Sequence, residues 1–177
     1  VTALKDVAGG SDVLTLKVNG ATASAATLEL LNAKTSEAIT VDAKEITGSI
    51  VEVAAVYNAV GGYTGLGNKN VVISPAFAGT ATVGLVLGNL DAILNETNGI
   101  VTATLNSASA TDLLKATTKA TSKDALTLTL DAGVESAANL NTLDGRTSVT
   151  VNASAVTGIT GSAADIKTVL AAKTITK

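Results

Sequence analysis

Apolar and polar residues alternate with period two at six places along the chain, and each alternating stretch ends on a short polar side chain: Asn19, Asp42, Ser74, Asn106, Asp131 and Asn152. The residue before each marker is apolar (Val18, Val41, Ile73, Leu105, Leu130, Val151), as is the one two places earlier (Leu16, Ile39, Val71, Ala103, Leu128, Val149). Between them stand Lys17, Thr40, Val72, Thr104, Thr129 and Thr150. This alternation predicts half-buried strands with one face in a core and the other, largely threonine, in water. Successive markers lie 21 to 32 residues apart, too far for hairpin connections.

Every interval holds a segment with helical spacing, and the pattern predicts helices over 24–33, 49–60, 83–95, 109–120, 136–144 and 162–172. Several open on Ser or Thr followed by small and acidic residues, the composition of a helix start. Leu28 and Leu31, Leu140 and Leu143, and Ile166, Val169 and Leu170 keep the order of one helical face. Two copies of a unit are plain: SAATLELLNAKTS from Ser24 matches SAANLNTLDGRTS from Ser136, and EITGSIVEVAAVYNA matches ITGSAADIKTVLAA. Strand, helix and a further strand of the same pattern make a βα unit with parallel strands and right-handed crossovers. The expected fold is therefore an α/β solenoid of about six right-handed βα repeats of 21–32 residues, with one parallel sheet and short helices on one face. A doubly wound sheet is the competing arrangement, but strands covered on both faces read as continuous apolar runs, and here one face is threonine. The chain reads as one repeat domain over 1–177, with 1–11 an N-terminal extension or edge strand and 173–177 a terminal strand.

Composition sharpens this picture. Of 177 residues, 46% are hydrophobic but only 2% aromatic, so small aliphatic side chains must fill the core, as they do best where short layers recur. There is no His and no Cys, which excludes Ser-His-Asp and Cys-His nucleophile systems, disulfides and the usual zinc, haem and iron-sulfur sites. A net charge of −3 with almost no aromatic stacking surface argues against nucleic acid. The uncharged run from Asn70 to Leu90 is broken by Ser74, Pro75, Thr80, Thr82 and Asn89, which fits a buried strand and helix and not a membrane span. The sequence opens without the basic n-region of a signal peptide and starts at Val1 rather than Met, so the chain reads as a processed or excised piece of something longer.

Few side chains suggest chemistry. Calcium is the one ion considered: AGGSDVLTL, with Asp12, resembles a single Gly/Asp turn of a calcium roll, and the competing reading is a plain tight turn. No cofactor and no small-molecule substrate are expected. The strand-end row from Asn19 to Asn152 suits side-chain bonds to turn backbone, and a row of oxygens would also suit a cation. The loop GGYTGLGNKN precedes a strand and lacks GK[ST], so it is no phosphate loop. Tyr57, Tyr63 and Phe77 lie in or beside it, as a local core plug or as a contact patch. Asp and Glu scatter without a cleft signal. Lys115, Lys119 and Lys123 form a helical stripe that reads as a solvated face, and the single Arg, Arg146, matches Lys34 of the other clear copy. Asn95 and Asn152 head N-x-S/T acceptor patterns. The Thr face, Thr40, Thr104, Thr129 and Thr150, would suit ice or glycan binding if its residues lined up.

LNTLDGRTSVTVNASAV, TGITGSAADI and TGLGNKNVVIS resemble the degenerate Ala/Thr/Asn-rich repeats of giant cyanobacterial cell-surface proteins, including motility-associated ones of marine forms. The resemblance is strongest over 134–172, recognisable over 24–74 and faint over 75–120. It implies a non-catalytic, extracellular or cell-surface structural protein with no catalytic residues to carry over. The segments VTALKDVAGG and AAKTITK read as strand-prone ends without caps. The expected role is a structural subunit that forms homo-oligomers by end-to-end strand or edge pairing, giving a filament or surface layer. The alternative is an adhesin or ice-binding module using the Thr face, and an enzyme such as a polysaccharide lyase is the third reading.

Overall fold

The computed structural model describes residues 13–77 and 83–177, the side chains of 83–88 excepted. Their elements run in the order β1 (Lys17–Val18), β2 (Thr22–Ser24), α1 (Ala25–Asn32), β3 (Ile39–Val41), β4 (Glu45–Gly48), α2 (Ile50–Asn58), β5 (Tyr63–Thr64) and β6 (Asn70–Ile73). They continue with α3 (Val83–Glu96), β7 (Val101–Thr104), α4 (Ala110–Ala116), β8 (Ala125–Thr127), β9 (Gly133–Ser136), α5 (Ala137–Asp144), β10 (Val151–Asn152), β11 (Val156–Thr160), α6 (Ala163–Ala171) and β12 (Ile175–Thr176). The chain is thus an α/β protein with parallel sheets and six helices among the described residues, compatible with a βα-repeat fold. The expected N-terminal extension or edge strand over 1–11 and the calcium-turn candidate Asp12 lie outside the described residues.

Serine side chains start the helices where an acidic residue follows three places on. Ser49 Oγ accepts the Glu52 N–H at 3.3 Å while Glu52 Oε2 accepts the Ser49 N–H at 2.8 Å, a reciprocal capping box. Ser109 and Ser162 accept from the N–H groups of Asp112 and Asp165. All six helices fall within two residues of their expected spans except at the end of α4, which stops at Ala116. There the Thr117 hydroxyl bonds back to the Leu113 carbonyl at 2.7 Å, a local bond that competes with the helix.

The expectation of one sheet is corrected: strand pairing divides into sheets β1-β3-β5, β2-β4-β6-β7-β8, β10-β12 and β11-β9, all parallel. The physical reason is a second strand in the clear units. In the first, Gly20 at φ +128° turns β1 into β2, a conformation glycine adopts freely, and the two strands join different ladders. The five-stranded sheet continues beyond β8, because Leu130 donates to the Asn152 carbonyl and Asn152 to the Leu128 carbonyl, each at 2.9 Å. A central ladder therefore runs from β2 to β12, flanked by β1-β3-β5 in the N-terminal half and by β9-β11 in the C-terminal half.

The alternation chooses the core side as expected: Ile39, Val41, Val71, Val101, Leu126, Leu128, Leu130 and Val151 are buried, together with Leu28, Val53, Ile93, Leu113, Leu140 and Val169 from the helices. Each helix packs on the next in sequence order, from α1 on α2 to α5 on α6. Small residues let backbones approach closely. A side chain at Gly99 would run into the Lys69 carbonyl and stand 2.7 Å from the Asn70 nitrogen, whereas Gly145, in right-handed helical conformation, has nothing closer than the Thr142 oxygen at 3.5 Å.

Two comparisons test this packing by urea denaturation. Gly99→Ala should lose at least about 2 kcal/mol, and Gly145→Ala should change stability by less than about 1 kcal/mol; equal midpoints would refute the close approach. Leu130→Ala should cost about 2–4 kcal/mol and Thr129→Ala less than about 1 kcal/mol, and the opposite order would mean that the faces are reversed.

Candidate assembly surface

The strand-end residues use their backbone in a common way. Asp42 donates its N–H to the Val18 carbonyl, Ser74 to Gly48, Asn106 to Phe77 and Asp131 to Ala108, so each hangs on the preceding unit. Their side chains differ. Asp42 meets Lys17 Nζ at 2.6 Å, and the bond from this ammonium holds its carboxyl below the ordinary carboxylate range. Asn152 Oδ1 accepts the Ser154 N–H and hydroxyl at 3.1 and 2.8 Å, the Asx turn expected of such residues. Asn19, Ser74, Asn106 and Asp131 are exposed. The six do not form one row: Val18 opposes Val41, but Ile73 opposes Gly48, Leu105 opposes Phe77 and Leu130 opposes Ala108.

The threonines are likewise divided. Thr40 lies between Lys17 and Thr64 in the first flanking ladder, with its Oγ1 3.4 Å from that of Thr64. Thr104 pairs with Thr127 in the central ladder, Thr129 faces Asn152 in its continuation, and Thr150 is exposed just before β10. Of the aromatic residues, Phe77 is buried, and Tyr57 and Tyr63 pack half-buried against the core. Burial pushes both phenols up to about 12, with the Glu29 carboxylate adding to the effect at Tyr63. They are a core plug under the Gly-rich loop.

Four buried polar side chains that the sequence reading passed over close the units. The Thr35 hydroxyl accepts the Leu14 N–H at 3.2 Å, donates to the Leu14 carbonyl at 2.7 Å and accepts the Glu37 N–H. Thr147 does the same with Leu126 and Val149 at 3.1, 2.7 and 3.0 Å. Thr97 donates to the Lys69 carbonyl at 2.6 Å and accepts from Gly99. Asp124, only 2% exposed, accepts the N–H groups of Val101 and Thr121 and the Thr121 hydroxyl. Each stands shortly after a helix and ties that return to the backbone ahead of the same helix. The available signal was the shared K-T-S and R-T-S of the two clear copies. Arg146 adds a link between layers, donating to the Leu114 carbonyl at 2.6 Å, while its counterpart Lys34 is exposed.

The copies also show what a neighbouring layer does. Leu143 of α5 is fully buried, yet its counterpart Leu31 of α1 is only partly buried; Val53 of α2 is fully buried, yet its counterpart Ile166 of α6 is only partly buried. Tyr57 is partly buried, whereas Leu170 at the same place in α6 is 58% exposed. Beside α6 an open groove of about 610 Å³ is lined by Asp144, Ala164, Lys167, Thr168, Ala171, Ala172 and Thr174. Among the described residues, β1 and β2 at one end and β11 and β12 at the other are edge strands, and no group of three or more acidic side chains is placed to hold a metal ion. None of the described helices is long and apolar enough to cross a membrane. The sequence matches no family model, no curated protein and no solved structure.

Thr147→Val should cost about 2 kcal/mol or more, because it strands the Leu126 and Val149 N–H groups in the interior. Thr147→Ser keeps the hydroxyl and should cost about 1 kcal/mol, the value of one buried methyl. Equal losses in thermal or urea unfolding would show that the hydroxyl is not what closes the unit.

Proposed function

We propose that this chain is a non-catalytic structural protein whose βα units stack as a solenoid and whose copies add to one another end to end, giving a filament or a surface layer. The observation that carries the reading is the difference between inner and outer layers. Helix positions that are sealed inside the stack, Leu143 and Val53, are only partly buried at Leu31 and Ile166, and among the described residues edge strands flank them. Edge strands invite pairing, and a contact between unlike ends extends without closing when its rotation does not return on itself. The cell-surface setting is supported by the resemblance of the repeats to giant cyanobacterial surface proteins. A role in ice or glycan binding has less to stand on, since Thr40, Thr104, Thr129 and Thr150 are spread over separate ladder positions.

Light scattering of the purified 177-residue chain over a rising concentration series should show growing mass, with fibres or sheets by electron microscopy. Leu170→Lys should weaken association. Lys167→Ala should strengthen it, because Lys167 is exposed at the α6 position where α2 carries the buried Ala54. A chain that stays monomeric at millimolar concentration refutes the proposal.

A further inference from the structure

The sequence contains two Asn-Gly pairs, Asn19-Gly20 and Asn98-Gly99. This dipeptide is chemically labile because glycine has no Cβ to keep its own amide nitrogen from approaching the preceding side-chain carboxamide. Reaction requires that nitrogen to be unbonded and the local backbone to be free to rotate.

At the second pair neither condition holds. The Gly99 N–H donates to Thr97 Oγ1 at 3.0 Å, the Asn98 N–H donates to the Gly67 carbonyl at 2.8 Å, and the Asn98 carbonyl accepts from Lys123 Nζ at 2.7 Å. Gly99 itself is wedged against the Lys69 carbonyl. At the first pair the attacking nitrogen is unbonded among the described residues, and the pair itself is held only through the Gly20 carbonyl, which accepts the Lys44 N–H at 3.4 Å. Asn19 and Gly20 are exposed, and among the described residues the Gly20 N–H donates no hydrogen bond and the Asn19 carboxamide makes none. The surroundings are open, with only the Thr22 carbonyl oxygen, at 3.9 Å, near the Cβ direction of Gly20.

We infer that Asn19-Gly20 is a site of spontaneous deamidation and that Asn98-Gly99 is protected by the fold. Base takes the Gly20 amide proton, and the nitrogen attacks Asn19 Cγ. The N–Cγ bond forms, the Cγ–Nδ2 bond breaks, and ammonia leaves with a proton from solvent. Water then opens the cyclic imide at either carbonyl, leaving an aspartyl or an isoaspartyl residue at position 19, with nothing oxidised or reduced.

The new carboxylate changes the outermost ladder. Val18 and Val41 are partners, so position 19 lies beside Asp42, whose carboxylate already holds Lys17 at 2.6 Å. The isoaspartyl form also lengthens the backbone next to Val18, whose carbonyl takes the N–H groups of Asp42 and Ala43 at 2.8 and 3.1 Å. Hydrogen exchange at those two amides should speed up once position 19 has reacted.

The test is a time course of the folded chain at mildly alkaline pH, followed by peptide mass mapping. The Asn19 peptide should gain one mass unit and split into two products, while the Asn98 peptide keeps its starting mass when half of the Asn19 peptide has shifted. In urea the two peptides should react at similar rates. Thr97→Val, checked for folding by circular dichroism, should expose Asn98 to the same reaction and leave Asn19 unaffected. The inference is overturned if the two sites react equally in the folded chain, or if Asn19 persists in the folded chain while it is consumed in urea.

Discussion

Every buried peptide group must keep a hydrogen-bond partner, and in this chain that demand is hardest to meet where a helix returns to the next strand. Parallel strands take partners a whole unit away, so the return brings N–H and C=O groups into an apolar place that no ladder reaches. Thr35, Thr97 and Thr147 meet the demand with one hydroxyl, which donates to a carbonyl and accepts from N–H groups. Asp124 meets it with acceptors alone and so collects donors only. Threonine suits the place because its methyl group stays in the core while its oxygen serves the backbone.

The scarcity of aromatic residues follows from the same geometry. Layers close enough for neighbouring units to share hydrogen bonds leave room for Val, Ile, Leu and Ala, and at Gly99 for no side chain at all. Where the chain inserts more, as in the Gly-rich loop between β5 and β6, the extra space is taken by Tyr57 and Tyr63. That insertion also coincides with the end of the first flanking ladder at β5; the second flanking ladder begins at β9. Units of unequal length are thus accommodated by staggering ladders about one that runs through.

How much of this was legible from sequence depended on the range of the interaction. Helix starts were legible because Ser49 and Glu52, or Ser162 and Asp165, lie within one turn of each other. The inward faces were legible because Val71 and Ile73 alternate within β6, and Leu126, Leu128 and Leu130 along β8 and the residues that follow it. The second strands were not, since Glu45–Gly48 and Val156–Thr160 interrupt alternation with glycine and polar residues and are held by neighbours instead of by their own pattern. The stagger was invisible for the same reason: that Leu105 opposes Phe77 and not Ile73 is a fact about two units, and a marker residue in each unit says nothing of it. Thr35 and Thr147 look like ordinary loop residues until the backbone they serve, Leu14 and Leu126, is brought beside them.

A repeated sequence therefore does not make a repeated environment. Leu31 and Leu143 occupy the same place in their units but differ in exposure because, among the described residues, α5 has helices on both sides and α1 on one. The two Asn-Gly pairs share a dipeptide but differ in bonding because one lies beneath the return clamped by Thr97 and the other in the corner next to edge strand β1. In the stack we propose, stability would be mostly a matter of nearest neighbours, so the association and the chemical reactivity proposed for this chain both fall where a neighbour is missing. Among the described residues the buried Thr35, Thr97, Thr117, Asp124 and Thr147 all bond to the chain's own backbone, and for that reason the association we propose is assigned to the outer layers.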